Sequence, residues 1–125
     1  MTTTTQPKIK GMSPQLRVSN LEHAIEFYTK KLGFDLQFRY EDFYAGVVKD
    51  GWSVHLKCAE PDVEEGKIKR EQQHLDIVFA VTDVAALYEE MLNNAVEITQ
   101  PLCERPYGTE FYIADPDGNI LAFLE

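Results

Sequence analysis

Hydrophobic and polar residues alternate most clearly near the end of the chain, on both sides of a tight turn. Within 108–125, Phe111 and Ile113 alternate with more polar neighbours before the chain turns at Asp-Pro-Asp-Gly (115–118). Apolar residues resume at 120–124. Alternation with a period of two around a turn of this composition predicts two antiparallel strands, since proline and glycine supply the backbone angles that the turn requires.

The first half of the chain predicts a strand, a helix and three further strands. Residues 15–18 alternate, and Ser19 with Glu22 three positions later predicts a capping box at the start of a helix. Gly33 is a suitable residue for ending that helix, because it can adopt a left-handed conformation. The helix has one apolar face, formed by Leu21, Ala24, Ile25, Tyr28 and Leu32. The predicted strands that follow are 34–40, 43–48 and 52–57, with Asp50 and Gly51 as a hairpin turn.

A charged segment, 58–73, separates this half from the next and predicts a solvated linker that could cover a ligand. A strand is predicted at 74–81, with its apolar face formed by Leu75, Ile77, Phe79 and Val81. Asp83 then precedes a helix whose apolar stripe contains Val84, Leu87, Tyr88, Met91 and Leu92. A short strand at 96–99 and a loop at 101–107 lead into the final hairpin.

The two halves repeat each other. Val18 and Val81 are 63 positions apart (81 − 18), and Asn20 and Asp83 have the same separation (83 − 20). The hairpin glycines at 51 and 118 are 67 apart (118 − 51), which indicates a small insertion. We therefore predict an α+β fold of two β-α-β-β-β modules, at about 13–57 and 74–125, which form a curved mixed sheet with the helices outside and a cup inside.

Composition restricts the possible functions. The 125 residues indicate a single domain, 12–125, after a flexible Thr-rich leader at 1–11. A net charge of −9 argues against nucleic-acid binding and would suit a cationic ligand, although such charge often serves solubility alone. The first residues lack the apolar core of a secretory signal and no apolar run is long enough to span a membrane, so we expect a cytoplasmic protein. Cys58 and Cys103 are expected to be reduced.

Three segments carry a resemblance to a known family: LRVSNLEHAIEFYTKKLGF at 16–34, AGVVKDGWSVHLK at 45–57 and RPYGTEFYIADPDGNILAFLE at 105–125. With them, the chain resembles the glyoxalase/bleomycin-resistance superfamily, also called the vicinal oxygen chelate fold. YEDFYAGVVKD and RPYGTEF look most similar to the antibiotic-binding bleomycin-resistance proteins. This resemblance implies a small acidic homodimer that sequesters a cationic aromatic antibiotic in a cup at the subunit interface without changing it chemically.

The resemblance also bears on metal binding. Metal-dependent members of the superfamily place a ligand on each of four strands, at positions that match Ser13, His55, Asp76 and Ala122. Alanine cannot coordinate a metal and serine is a poor ligand, so we expect no metal cofactor. Gln15 or His74 could supply a third ligand, since each lies two residues from one of these positions. A metal-dependent lyase, isomerase, dioxygenase or thiol transferase is therefore the alternative function, followed by an interaction module without a ligand.

Candidate ligand-binding residues follow from the same comparison. Tyr107 stands where the bleomycin-binding proteins carry a tryptophan, and Tyr44 stands at a ligand-facing phenylalanine. Aromatic rings can stack on a planar ligand and carboxylates attract its positive charge, although each ring could equally pack in the core. The other candidates are Phe38, Tyr40, Phe43, Trp52, His55, Asp76 and Glu110.

Overall fold

Two four-stranded mixed sheets form the frame of the molecule. The computed structural model describes residues 6–60 and 62–125. The first module contains β1 (Gln15–Val18), α1 (Leu21–Glu26), β2 (Asp35–Tyr40), β3 (Tyr44–Lys49) and β4 (Trp52–Cys58). After α2 (Val63–Glu71), the second module contains β5 (Ile77–Ala80), α3 (Val84–Asn93), β6 (Glu97–Arg105), β7 (Gly108–Ala114) and β8 (Ile120–Leu124).

The sheets have the same topology, which confirms the predicted repeat. Their strand orders are β1-β4-β3-β2 and β5-β8-β7-β6, and the first and last strands of each module pair in parallel. The helices pack mainly on one face of each sheet, where the apolar residues of the strands form one large core. The α+β fold of two β-α-β-β-β modules is therefore as the sequence predicts.

Helix starts show the repeat at the level of single atoms. Asn20 accepts a hydrogen bond from the backbone nitrogen of His23, and Asp83 accepts the equivalent bond from Ala86. The two caps, Asn20 and Asp83, are separated by the predicted 63 positions, and so are the two donors, His23 and Ala86. The predicted capping box at Ser19 is wrong, because the Ser19 side chain instead donates to Asp117 in the second module.

The turn at 115–118 joins the two modules. Buried Tyr28 donates its hydroxyl hydrogen to Asp115 at 2.9 Å, although the two residues belong to different modules. Asp117 accepts from the backbone nitrogen and hydroxyl of Ser19, at 2.8 and 2.6 Å. Asn119 donates its side-chain amide to the backbone oxygen of Arg17 at 2.9 Å. The hairpin predicted from local composition is therefore also the main polar contact between the modules.

Several predicted element bounds need correction. The first helix changes to π-helical geometry at Phe27–Lys31 before Gly33 ends it with a φ of 78°. The charged linker contains α2, which Asp62 caps and which has no buried residue. β6 continues through the predicted loop, since register irregularities after Gln100 let Pro101 fit into the strand.

The predicted apolar face at 74–81 is also only partly correct. Ile77, Phe79 and Val81 pack against the large core, but Leu75 precedes β5 and packs against the opposite face of the second sheet. In α3, Leu92 is 44% exposed and lies outside the core. Residues 6–14 are exposed and contain no helix or strand, while the start of the predicted leader lies outside the described residues. None of the helices that the structure describes is long and apolar enough to cross a membrane.

Candidate functional site

Each sheet has a concave face that points away from the large core, and in the second sheet part of this face is buried, with Leu75 packed against Tyr112 and Ala122. In the first sheet, strand register places Tyr44 beside Lys57 and Gly46 beside His55. These positions alternate with the buried residues of the same strands, so they lie on the other face of the sheet. In the second sheet, register places Tyr112 beside Ala122 and Glu110 beside Leu124. The chemistry of the two faces differs, so we describe them separately.

The concave face of the first sheet carries an aromatic surface formed by Phe38, Tyr40, Tyr44 and His55. The Phe38 ring stacks on Tyr44 with centroids 6.0 Å apart and planes 15° apart, and meets the His55 ring edge-on at 5.1 Å. Tyr40 lies 5.6 Å from Phe38 and is 60% exposed. These rings pack on one another rather than in the core, so the sheet presents a flat aromatic face to solvent.

A strand irregularity and a glycine position the Phe38 ring. Leu36 pairs with Val47 and Phe38 pairs with Gly46, so a bulge between them shifts the alternation and turns Phe38 to the concave face. The ring then lies directly over Gly46, where a Cβ atom would overlap its carbon atoms. Gly46 is therefore required for close packing rather than for an unusual backbone angle.

We expect Gly46→Ala to displace the Phe38 ring and to lower the free energy of unfolding by about 1 to 3 kcal/mol, because overpacking forces side chains from their preferred positions. Urea unfolding measures this change. In a Phe38→Ala background the same substitution should cost much less, since the obstructing ring is absent. Equal costs in both backgrounds would show that the ring does not occupy this position.

Hydrogen bonds fix the polar edge of the aromatic surface. The Gln15 side-chain nitrogen donates to the Tyr44 hydroxyl at 3.0 Å, and that hydroxyl lies 2.9 Å from Nδ1 of His55. His55 is half-buried, and its ring contacts both Phe38 and Tyr44. The three polar groups therefore form one chain across β1, β4 and β3.

The second sheet carries a carboxylate cluster formed by Arg105, Tyr107, Glu110 and Tyr112. One oxygen of buried Glu110 accepts from Arg105 Nε at 3.0 Å, Tyr107 at 2.8 Å and Tyr112 at 2.7 Å. Burial alone would raise the pKa of Glu110, but these hydrogen bonds outweigh it and hold the pKa below its ordinary value. Glu110 therefore remains a carboxylate at neutral pH.

The tyrosines of the carboxylate cluster remain protonated donors. Burial, followed by the hydrogen bond to Glu110, raises the pKa of Tyr112 to about 12. The hydrogen bond to Glu110 is also the main cause of the raised pKa of Tyr107. Alternation along the strand places Glu110 and Tyr112 on the same face of the sheet. Arg105 and Tyr112 were not among the predicted site residues. Only the hairpin register reveals that they converge on one oxygen.

The remaining predicted ligand-binding residues lie elsewhere. Trp52 is 72% exposed and lies on the opposite face of β4 from His55, since the two positions differ by an odd number along the strand. It lines a groove of about 880 Å³ with Asp76. Phe43 is exposed in the turn between β2 and β3. The structure thus brings Phe38, Tyr40, Tyr44 and His55 together, and separately Tyr107 and Glu110.

The superfamily metal positions do not converge on a set of free ligands. Both oxygens of Asp76 are engaged, one by Lys69 at 2.9 Å and the other by the backbone nitrogen of Ile120 at 2.8 Å. Ala122 is fully buried and offers only a methyl group. Within residues 6–60 and 62–125, no three His, Cys, Asp or Glu side chains are grouped to hold a metal ion. The donor set therefore does not fit the metal site of the metal-dependent enzymes.

Comparison with known protein families identifies the family of this chain. The Glyoxalase/Bleomycin resistance protein/Dioxygenase superfamily matches residues 11–123. The chain belongs to this superfamily. A superfamily relative, the uncharacterized protein YetH of Bacillus subtilis (strain 168), is 29% identical over 112 residues, which cover 86% of this chain and 91% of that protein.

Solved structures with a similar fold cover almost the whole chain. The bleomycin-binding protein of bleomycin-producing Streptomyces verticillus, solved with copper(II)-bleomycin, has a TM-score of 0.71 and 26% identity, with 95% of this chain and 98% of that chain covered. TnmS3, an antibiotic binding protein from Streptomyces sp. CB03234, has a TM-score of 0.73 and 22% identity, with 96% and 98% covered. The latter likeness establishes the fold alone.

Proposed function

We propose that this protein is a non-catalytic binding protein that sequesters a planar, cationic small molecule on the aromatic surface. The observation that carries the proposal is the stack of half-buried Phe38 and Tyr44, extended by exposed Tyr40 and held in place over Gly46. Ligand sites combine apolar and aromatic walls with a few placed polar groups, and His55 supplies such a group here. The similarity to the bleomycin-binding protein supports the same class of function.

Charge supports the cationic part of this proposal. The chain has a net charge of −9, which raises the local concentration of cations around the molecule. Glu110 is a carboxylate at neutral pH, but it is buried and Arg105 partly neutralises it. The proposal needs no bound metal, since Asp76 is occupied by Lys69 and Ala122 has no donor atom.

Thermal shift and titration with N-methylacridinium, a planar cation, and with bleomycin test the function. We expect wild-type protein to bind at least one probe and gain thermal stability, with the same affinity in the presence of a chelator. Phe38→Ala should weaken binding about tenfold, because stacking contributes on the order of 1 kcal/mol or more. Phe43→Ala is the matched control, since this exposed ring lies outside the aromatic surface. Equal losses in both variants would contradict the assignment of the site.

We further propose that two subunits close the cup, so that the aromatic surface of one chain faces the second sheet of its partner. Within one chain the aromatic surface and the carboxylate cluster lie on different sheets. Val78 supports this arrangement: it lies beside Ala122 on the second sheet, at the edge strand β5, and is 54% exposed. An exposed apolar residue on an unpaired strand edge is typical of a surface that a partner covers.

Sedimentation tests this assembly. We expect wild-type protein to sediment at twice the monomer mass of 14.3 kDa, and Val78→Arg to shift the equilibrium toward the monomer. Val63→Arg is the control, because Val63 is 75% exposed on α2 and lies outside the sheet that carries Val78. A wild-type monomer at micromolar concentration would refute the proposal.

A further inference from the structure

The hydrogen-bond chain at the edge of the aromatic surface favours a proton on Nε2 of His55. The amide nitrogen of Gln15 has hydrogens and no acceptor function, so the Tyr44 oxygen accepts from it. Tyr44 is then free to donate its own hydrogen to Nδ1 of His55 at 2.9 Å. In a neutral imidazole whose Nδ1 accepts, the proton resides on Nε2.

Protonation of the ring does not change this result. In the imidazolium form both ring nitrogens carry hydrogens, so Nε2 is a donor in either charge state of His55. Within residues 6–60 and 62–125, no protein atom accepts from Nε2. The sole side-chain polar atom of these residues that is both buried and unpaired is the Thr99 hydroxyl, so solvent reaches Nε2.

The rings hold this donor at a defined angle. His55 meets Phe38 with planes 87° apart and Tyr44 with planes 75° apart, so neighbouring rings contact it on two sides. A planar molecule that stacks on the Phe38 or Tyr44 ring therefore lies nearly perpendicular to the imidazole plane. Where such a molecule extends beside His55, the atoms at its edge would meet the Nε2 donor.

We infer that His55 selects ligands whose aromatic system carries a hydrogen-bond acceptor at its edge, such as a ring nitrogen or a ring carbonyl. This inference rests on the proposed function, because it concerns a ligand stacked on the aromatic surface. His55 is the specificity-determining residue, and Tyr44 is a positioning residue that acts through it. The selection arises because a ligand with an apolar edge displaces the water bound to Nε2 of His55 and supplies no acceptor in its place.

Three bicyclic probes of nearly equal shape separate this selection from charge attraction. Naphthalene has neither an acceptor nor a charge, quinoline has an acceptor and is uncharged at pH 8, and N-methylquinolinium has a charge and no acceptor. We expect wild-type protein to bind quinoline about fivefold more tightly than naphthalene, because one ordinary hydrogen bond changes the affinity by about that factor. His55→Phe keeps an aromatic ring and should reduce that ratio to about one, while Tyr44→Phe should give an intermediate ratio.

Nitrogen NMR of histidine-labelled protein gives a readout that does not depend on affinity. We expect the His55 signals, assigned by comparison with His55→Gln, to show a proton on Nε2, and the proton signal to shift when quinoline is added. Quinoline and naphthalene binding equally, or a neutral ring with its proton on Nδ1, would overturn the inference and leave the proposed function intact. Failure of all three probes to bind at millimolar concentration would overturn both.

Discussion

Asp115→Ala is expected to lower the free energy of unfolding by about 3 kcal/mol or more, the largest effect of any single polar substitution in this molecule. Asp115 is 3% exposed and accepts four hydrogen bonds, from the Tyr28 hydroxyl, the Asp117 nitrogen and both nitrogens of Asn119. Removing the carboxylate leaves buried donors without partners, and it also removes the Tyr28 contact between the modules. Urea unfolding followed by circular dichroism measures the loss.

Two variants separate the contributions of the turn. Tyr28→Phe removes one donor and leaves the other three bonds to Asp115, so it should cost about 1 kcal/mol. Asp117→Ala removes the two bonds from Ser19 at a half-buried position, where water can replace the carboxylate, and should also cost less than Asp115→Ala. A loss below 1 kcal/mol in Asp115→Ala would mean that the buried donors find other partners.

Glu110→Ala is expected to produce the second largest effect, a loss of about 2 to 3 kcal/mol at pH 7. The substitution removes the acceptor of three hydrogen bonds and leaves the Tyr112 hydroxyl without one. Glu104→Ala is the matched control, because Glu104 is an exposed carboxylate on β6 and should change stability little. Equal effects of the two substitutions would show that the carboxylate cluster contributes no stability.

The effect of Glu110 depends on pH in a defined direction. Its pKa is lower in the folded protein than in the unfolded chain, so its stabilising contribution is present above the ordinary value of 4.5 and disappears as the pH falls through the folded value. The difference between wild type and Glu110→Ala should therefore shrink in acid. The stability contribution of Asp115 changes with pH in the opposite direction. Burial raises the pKa of Asp115, so folding favours its protonated form. Unfolding measured from pH 7 to pH 3 in both variants distinguishes the two carboxylates.

The sequence predicted the modules well because each element contains its own signal. The repeat at 63 positions, the alternation of the strands and the turn residues are local, and the paired N-caps at Asn20 and Asp83 follow the same offset. Ser19 was assigned wrongly because both Ser19 and Asn20 are residue types that cap helices. Asp117, which is distant in the sequence, binds Ser19 and leaves the cap to Asn20.

The helix α2 was missed for a different reason. It has no buried residue, so the hydrophobic pattern contains no helical signal. A polar signal was present, since Asp62 caps the helix by accepting from Glu65, and acidic residues precede basic ones along it. Its contacts are ion pairs with residues of both modules, including Arg17 and Asp76. Such contacts depend on the tertiary arrangement and cannot be read from local composition.

The candidate site was predictable by residue type and only partly by position. Alternation places Tyr44 on the concave face, but the bulge that turns Phe38 toward it has no sequence signal of its own. Trp52 and His55 are an odd number of positions apart on one strand, so alternation alone already places them on opposite faces. The carboxylate cluster depends on β6, a strand that the proline at 101 made look like a loop.

The close packing of Phe38 on Gly46 limits how this sheet can change over evolution. A ring at position 38 and a side chain at position 46 exclude each other in the present backbone, so neither position can drift independently. A lineage that acquires alanine at 46 must first lose or shrink the ring, which also removes the aromatic stack with Tyr44. Among related chains, glycine at this position should therefore occur together with a large aromatic residue at 38, and the pair marks those members whose first sheet still offers a flat surface to a ligand.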